Sequence, residues 1–187
     1  PKVADTPKAA DAPKVAADAP KVDELIAKNT EARGGKQTIQ AVKTMRMTMK
    51  VTGAPMEIKI FQEAKRPKSF RQDVSVQDQT MSTGYDGKQG WKINPFAGYG
   101  GKNGAEDMTP DELRMAEESA DMDGELVDYK AKGHQVEYMG KEPVEGSDAY
   151  KLKVTLKNGD IKYLFLDAET FLDVKQTSKR TVNDTEI

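Results

Sequence analysis

Between residues 44 and 51 the chain reads Thr-Met-Arg-Met-Thr-Met-Lys-Val, with Met45, Met47, Met49 and Val51 at every second position. Thr44, Arg46, Thr48 and Lys50 fill the gaps. A strand turns successive side chains to opposite faces, whereas a helix repeats about every 3.6 residues. The pattern therefore specifies a strand with one dry and one wet side. The same period governs 149–157, where Tyr150, Leu152, Val154 and Leu156 oppose Lys151, Lys153, Thr155 and Lys157. Asn158-Gly159 follows as a hairpin signal. Across it Ile161, Tyr163 and Phe165 are expected to answer the apolar set, with Leu164 and Leu166 on the other face.

Further strands surround these two. After a turn at Gly53-Ala54-Pro55, Met56, Ile58 and Ile60 continue the alternation against Glu57 and Lys59. Beyond Arg66-Pro67, Phe70, Val74 and Val76 alternate with Arg71, Asp73 and Ser75. A weaker stretch covers 81–85, Asp86-Gly87 turns the chain, and 89–93 forms a short strand around Trp91. With 134–139 and 170–179, about nine strands are expected. Helices are fewer. Asp23 is read as the cap of a short amphipathic helix carrying Leu25, Ile26 and Ala32 and stopped by Gly34-Gly35. Thr38, Ile39 and Val42 suggest a further helical turn. A glycine-rich hinge at 97–104 precedes Thr109-Pro110-Asp111-Glu112, which has the cap, the proline and the glutamate of a capping box. Leu113, Ala116 and Ala120 line one face of that helix, Met115 and Met122 flank it, and Glu117, Glu118 and Asp121 are assigned to solvent. A second short helix is expected over 125–132. The fold class is α+β, mainly antiparallel β, with a helical insertion after the fifth strand.

Residues 1–22 are a different material. Pro1, Pro7, Pro13 and Pro20 punctuate an Ala/Lys/Asp/Val sequence with no large side chain. Such a segment cannot anchor a core and reads as a polyproline-biased disordered linker, either a spacer or a leftover terminus. The domain is assigned to 23–187. A signal peptide or lipid-attachment cysteine would lie upstream of Pro1, so the lack of either here says nothing against export.

Composition removes several functions. The 29 Lys+Arg against 31 Asp+Glu leave a formal charge of −2, which offers no electrostatic case for nucleic acid. With no Cys and one His there is no disulfide framework, thiol nucleophile, zinc set or iron–sulfur site. No apolar run approaches the roughly 20 residues of a membrane helix. No nucleophile–base pair supports an enzyme, and neither a cofactor nor a metal is expected.

The ordered set Ala64-Lys65-Arg66-Pro67, Phe70, Asp86-Gly87-Lys88, Trp91 and Asn94-Pro95-Phe96 resembles the LolA-like lipoprotein carriers of the bacterial periplasm. The coincidence of order and spacing covers 65–96, and the strand order and later helix fit from about residue 23. The Met-rich strands are more similar to the broader group of outer membrane lipoprotein-sorting-like proteins. The resemblance implies a curved, unclosed half-barrel with a helical lid over an apolar cavity that holds acyl chains. It implies that Arg66 holds the lid closed through hydrogen bonds to lid backbone groups. It also implies a few strands beyond 170–179, so that 23–187 lacks the family's last strands. On this architecture the first half of the cavity is expected from Met45, Met47, Met49, Met56, Ile58, Ile60 and Phe70. Trp91, Leu113, Met115, Tyr150, Leu152 and Val154 would complete it. The implied partners are a lipid or acylated lipoprotein and an envelope membrane protein as donor or acceptor. The chain would be a monomer, periplasmic or otherwise exported.

Bland readings stand beside these. Arg66 precedes a proline that interrupts the ladder and leaves carbonyls short of a donor, which a guanidinium can supply; it could also be a surface Arg at a strand break. The Met stripe is either ordinary core or an adaptable acyl-binding wall, because thioethers without Cys or His argue weakly for metal. Trp91 is a core aromatic or a cavity wall. His134 is a surface or capping residue. Asp86-Gly87-Lys88 lacks the glycine spacing of a phosphate loop. Lys151, Lys153 and Lys157 form a wet outer stripe without interleaved aromatics, so no nucleic-acid platform is expected. The alternative to a carrier is an envelope interaction module of the same fold without a cavity.

Overall fold

A computed structural model describes residues 20–51, 56–96, 104–179, 181–182 and 185–186. The linker up to residue 19, the turn at Gly53-Ala54-Pro55 and the glycine-rich stretch 97–103 lie outside the described residues. The chain forms mostly antiparallel sheets, unclosed, with a few helices. A six-stranded meander runs β1 (Thr44–Val51), β2 (Ile58–Lys65), β3 (Ser69–Val76), β4 (Gln79–Tyr85), β5 (Gly90–Ile93) and β6 (Glu106–Asp107). A four-stranded meander contains β7 (Gln135–Val144), β8 (Ser147–Thr155), β9 (Ile161–Asp167) and β10 (Asp173–Lys179). The two-residue strands β11 (Thr181–Val182) and β12 (Thr185–Glu186) pair with each other.

Among the described residues there are three helices: α1 (Val22–Ala32), α2 (Lys36–Ala41) and α3 (Pro110–Ser119). The cap of α1 is Lys21 rather than Asp23, which sits in the first turn and accepts hydrogen bonds from the Tyr129 hydroxyl and Lys130 Nζ. An acidic side chain there favours the positive end of the helix dipole without being the cap. Gly34 and Gly35, at φ 97° and 84°, end the helix in a conformation that glycine tolerates. α3 begins as expected, with Thr109 Oγ1 accepting from Glu112 N and the Glu112 carboxylate accepting from Thr109 N. It follows β6, so a sixth, very short strand precedes the insertion. The helix expected at 125–132 is instead a run of turns, anchored by the buried Leu126 and Val127.

The β8–β9 register corrects one expectation. A two-residue Asn-Gly turn would place Ile161, Tyr163 and Phe165 beside Leu152 and Val154. The observed loop has three residues, 157–159, closed by Leu156 N–H to Asp160 O at 2.9 Å with Gly159 at φ 93°. The pairing becomes Leu152 with Leu164 and Tyr150 with Leu166. A one-residue slip exchanges the faces of an entire strand. Leu164 and Leu166 therefore join Leu152, Val154 and Leu156 in a core with Leu25, Ile26 and Leu126. Full burial of each such Leu is worth about 1.5–3 kcal/mol. A second, smaller core forms where α3 meets the first sheet, from Phe70, Tyr85, Met108, Ala116 and Ala120, with Leu113 packed against it.

Candidate functional site

Register carries the Met stripe across the first sheet as parallel rows, because directly opposed residues share a face. The first row is Met45, Ala64, Phe70, Tyr85 and Gly90. Two residues further along the strands lie Met47, Gln62, Gln72, Thr83 and Lys92. A third row holds Met49, Ile60, Val74 and Met81, and a fourth Val51, Ile58, Val76 and Gln79. α3 covers the first row from β3 to β5. A Cβ at Gly90 would fall 2.4 Å from Met108 Sδ, so the missing side chain is what lets the segment entering α3 sit down.

Beyond that row the same face is open. Met45, Met47 and Val51 are 44%, 38% and 41% exposed, and Ile58, Ile60, Val74, Val76 and Met81 are only partly buried. Met56, just before β2, is 46% exposed. Leu113 and Met115 on α3 are half-buried. The structure thus brings eight of the thirteen expected cavity residues to this face or its helical cover: Met45, Met47, Met49, Ile58, Ile60, Phe70, Leu113 and Met115.

The remaining ones lie elsewhere, Met56 excepted. Trp91 pairs with Gly84, on the side opposite the Met stripe, and its indole sits where a Cβ on Gly84 would be. At 37% exposed it is not a core residue, and its side of the sheet keeps it off the face that carries the Met stripe. Leu152 and Val154 are fully buried in the second sheet's packed core, where α1 and Leu126 leave no face open to a ligand. Tyr150 is stacked on Phe171 at 5.8 Å and tilted against Tyr138. A depression of about 350 Å³ lies between α1 and residues 126–131, and another of about 260 Å³ beside Arg33 and Gly124. Neither is lined by an expected cavity residue.

Arg66 joins three parts of the chain. From the β2–β3 turn its Nε donates to Val42 O at 2.7 Å and its Nη2 to Ile39 O at 3.0 Å, both at the C-terminal end of α2. The other side of the guanidinium grips Asp123, just after α3, at 2.5 and 3.2 Å. The backbone acceptors therefore belong to α2, and the insertion contributes a carboxylate, which differs from the lid carbonyls the resemblance implies. The two side chains are 22% and 14% exposed. The hydrogen bond from Arg66 holds the Asp123 carboxyl below its ordinary range and raises the guanidinium further.

The helical insertion is held elsewhere by ion pairs on a face assigned to solvent from sequence. Glu117 pairs with Lys68 and Asp121 with Lys132. Lys162, buried on the core face of β9, pairs with Glu118 at 3.2 Å and with Glu125. Burial pushes the Glu125 carboxyl up, and the Lys162 ammonium outweighs it, leaving the group below its usual value. Lys162 is pushed down by burial and raised on balance by Glu125. Asp123 and Lys162 carry no sequence signal of this role; they stand in ordinary alternating or acidic contexts.

Two other expectations change. On the outer face of the second sheet, Lys151 lies across from Phe165 and Lys153 across from Tyr163, so aromatics do interleave with those lysines. Lys151 Nζ lies 5.2 Å from the Tyr163 ring centre and 5.4 Å from that of Phe165, and Glu142 and Glu137 pair with Lys151 and Lys153. Two of the three lysines of that stripe are thus neutralised by carboxylates on the neighbouring strand. His134 Nδ1 accepts from Lys157 N at 3.1 Å, and its pKa is lowered, chiefly by burial. Among the described residues no cluster of His, Cys, Asp and Glu could hold a metal ion, and no helix is long and apolar enough to cross a membrane.

No protein-family model matches this chain, and no curated protein matches it. Among solved structures it is similar to a DUF1329 family protein from Desulfovibrio piger, at 11% identity over 88% of this chain and 82% of that one, with a TM-score of 0.47. It is also similar to an outer membrane lipoprotein-sorting protein domain from Vibrio parahaemolyticus, at 11% identity over 82% and 72%, with a TM-score of 0.44.

Proposed function

We propose that this chain is a non-enzymatic carrier or receptor for acyl chains of lipids or lipoproteins, working as an exported monomer in the cell envelope with a membrane protein as donor or acceptor. The observation that carries the reading is the first sheet's α3 face: one row is covered by a helix, and two apolar rows further along the strands have no partner among the described residues. Each methylene laid on such a face contributes at most about 0.8 kcal/mol, so one chain supplies several kcal/mol even if partly covered. An open face favours exchange over permanent capture. Arg66, by fixing α2 and the end of the insertion together, would set how far the cover can move.

The filled core around Leu152 and Val154 favours a second reading, an interaction module that uses the same open face for a protein rather than a lipid. Organic extraction followed by mass spectrometry, and titration of delipidated protein with a fluorescent fatty-acid probe, separate the two. The carrier reading expects lipid in the extract, saturable probe binding, and altered retention in Arg66→Leu with the fold intact. Absence of both lipid and probe binding would leave the module.

A further inference from the structure

The open face is not uniformly apolar. Between the α3-covered row and the two open apolar rows runs the line Met47, Gln62, Gln72, Thr83 and Lys92. Gln62 and Gln72 are directly paired on neighbouring strands and half-buried. Their side-chain amides make no hydrogen bond to any other described residue, whereas on the same line Thr83 Oγ1 donates to the Gln72 carbonyl at 3.5 Å and Lys92 is held by Glu112. At the end of the line Lys92 Nζ is held by both oxygens of Glu112, at 2.7 and 3.0 Å, and its register partner is Glu106. The line therefore offers amide donors and acceptors without an uncompensated positive charge. Among the described residues an anionic head would meet no free cation on this line, and a bare hydrocarbon would leave the amides unpaired.

We infer that this line binds the uncharged polar linkage of an amphiphile, an ester or amide carbonyl, while its hydrocarbon chain runs over Met49, Ile60, Val74 and Met81 toward Ile58. The inference rests on the carrier reading and adds to it the chemistry of the head. Rows on one face are two residues apart, so the apolar track from the amide line to the Ile58 row is about 13–14 Å long. A carbonyl at the line accepts from the Gln62 or Gln72 amide N–H₂, and their amide oxygens can accept from an ester's neighbouring hydroxyl or an amide's N–H.

The test compares three probes of equal chain length on delipidated full chain by calorimetry: a monoacylglycerol, a fatty-acid carboxylate at neutral pH, and an alkane. The monoacylglycerol should bind most tightly. Substituting Gln62→Leu and Gln72→Leu together should weaken it about two- to tenfold, the net worth of one or two hydrogen bonds, and leave alkane binding equal or stronger. Gln62→Glu with Gln72→Glu, which keeps the shape and removes the donors, should weaken it too and guards against misfolding in the first pair. If the monoacylglycerol and alkane bind equally, or the Gln variants bind the monoacylglycerol as the parent does, the head site is wrong and the carrier survives. If no probe binds, both fall.

Discussion

The Arg66–Asp123 pair is the contact whose removal should be most informative. Asp123→Asn preserves shape and removes the charge facing the guanidinium, and Arg66→Met removes the donors that also serve Ile39 O and Val42 O. Hydrogen bonds to charged groups contribute about 1.5–3 kcal/mol when sheltered. The side chains keep 22% and 14% of their exposure, so solvent takes part of that. Asp123→Asn should then cost about 1–2 kcal/mol in urea unfolding at neutral pH. Arg66→Met should cost about 2–4 kcal/mol, because two carbonyls also lose a donor. The double variant should reveal a coupling of about 1 kcal/mol or more. The pH dependence follows from the sign of the shift. Asp123 titrates below its ordinary 3.8 in the folded chain, so its stabilisation is complete above that value and is lost as pH falls through the lower folded one. The gap between parent and Asp123→Asn should be constant near neutrality and close in strong acid. A coupling under about 0.5 kcal/mol would mean the pair is an ordinary surface contact, and a gap that persists in strong acid would remove the carboxylate from the argument.

Three further outcomes test the rest of the structure. Leu152→Ala, in the closed core, should cost about 2–5 kcal/mol, whereas Met47→Ala on the open face should stay within about 0.5 kcal/mol; equal costs in thermal unfolding would contradict the division into filled and open halves. Lys162→Met leaves Glu118 and Glu125 facing each other without their cation and should destabilise by about 3 kcal/mol, with partial recovery when Glu125→Gln is added; no recovery would place the loss in packing alone. Trp91 is the only tryptophan. Its fluorescence should be quenched by iodide and unmoved by bound acyl probe, and a blue shift on probe addition would return it to the cavity wall.

What was legible in the sequence was periodicity; what was not was register. The alternation at Met45, Met47 and Met49 identifies a face without reference to any other strand, and the Thr109 capping box needs only four residues to be recognised. Both are local, and both hold. Trp91 needed more. Its face depends on how a four-residue strand pairs with β4, and the residues that settle it, Gly84 and Gly90, carry no hydrophobic signal of their own. The second hairpin shows the same dependence in reverse. Asn158-Gly159 marks a turn correctly, but a two-residue and a three-residue loop have the same sequence signal and opposite consequences for Phe165 and Leu164. The ionic partners are harder still, since Arg66 and Asp123 are 57 residues apart and meet only after both α2 and the insertion are placed. The candidate site therefore divides by range of information. Its apolar rows follow from local alternation plus one unbroken meander, and the amide line through Gln62 and Gln72 follows from that same register. The placement of α3 over the neighbouring first row depends on long-range charge pairs that no period announces. Strand parity alone finds the open face and misses the ion pairs that hold α3 and the segment after it in place.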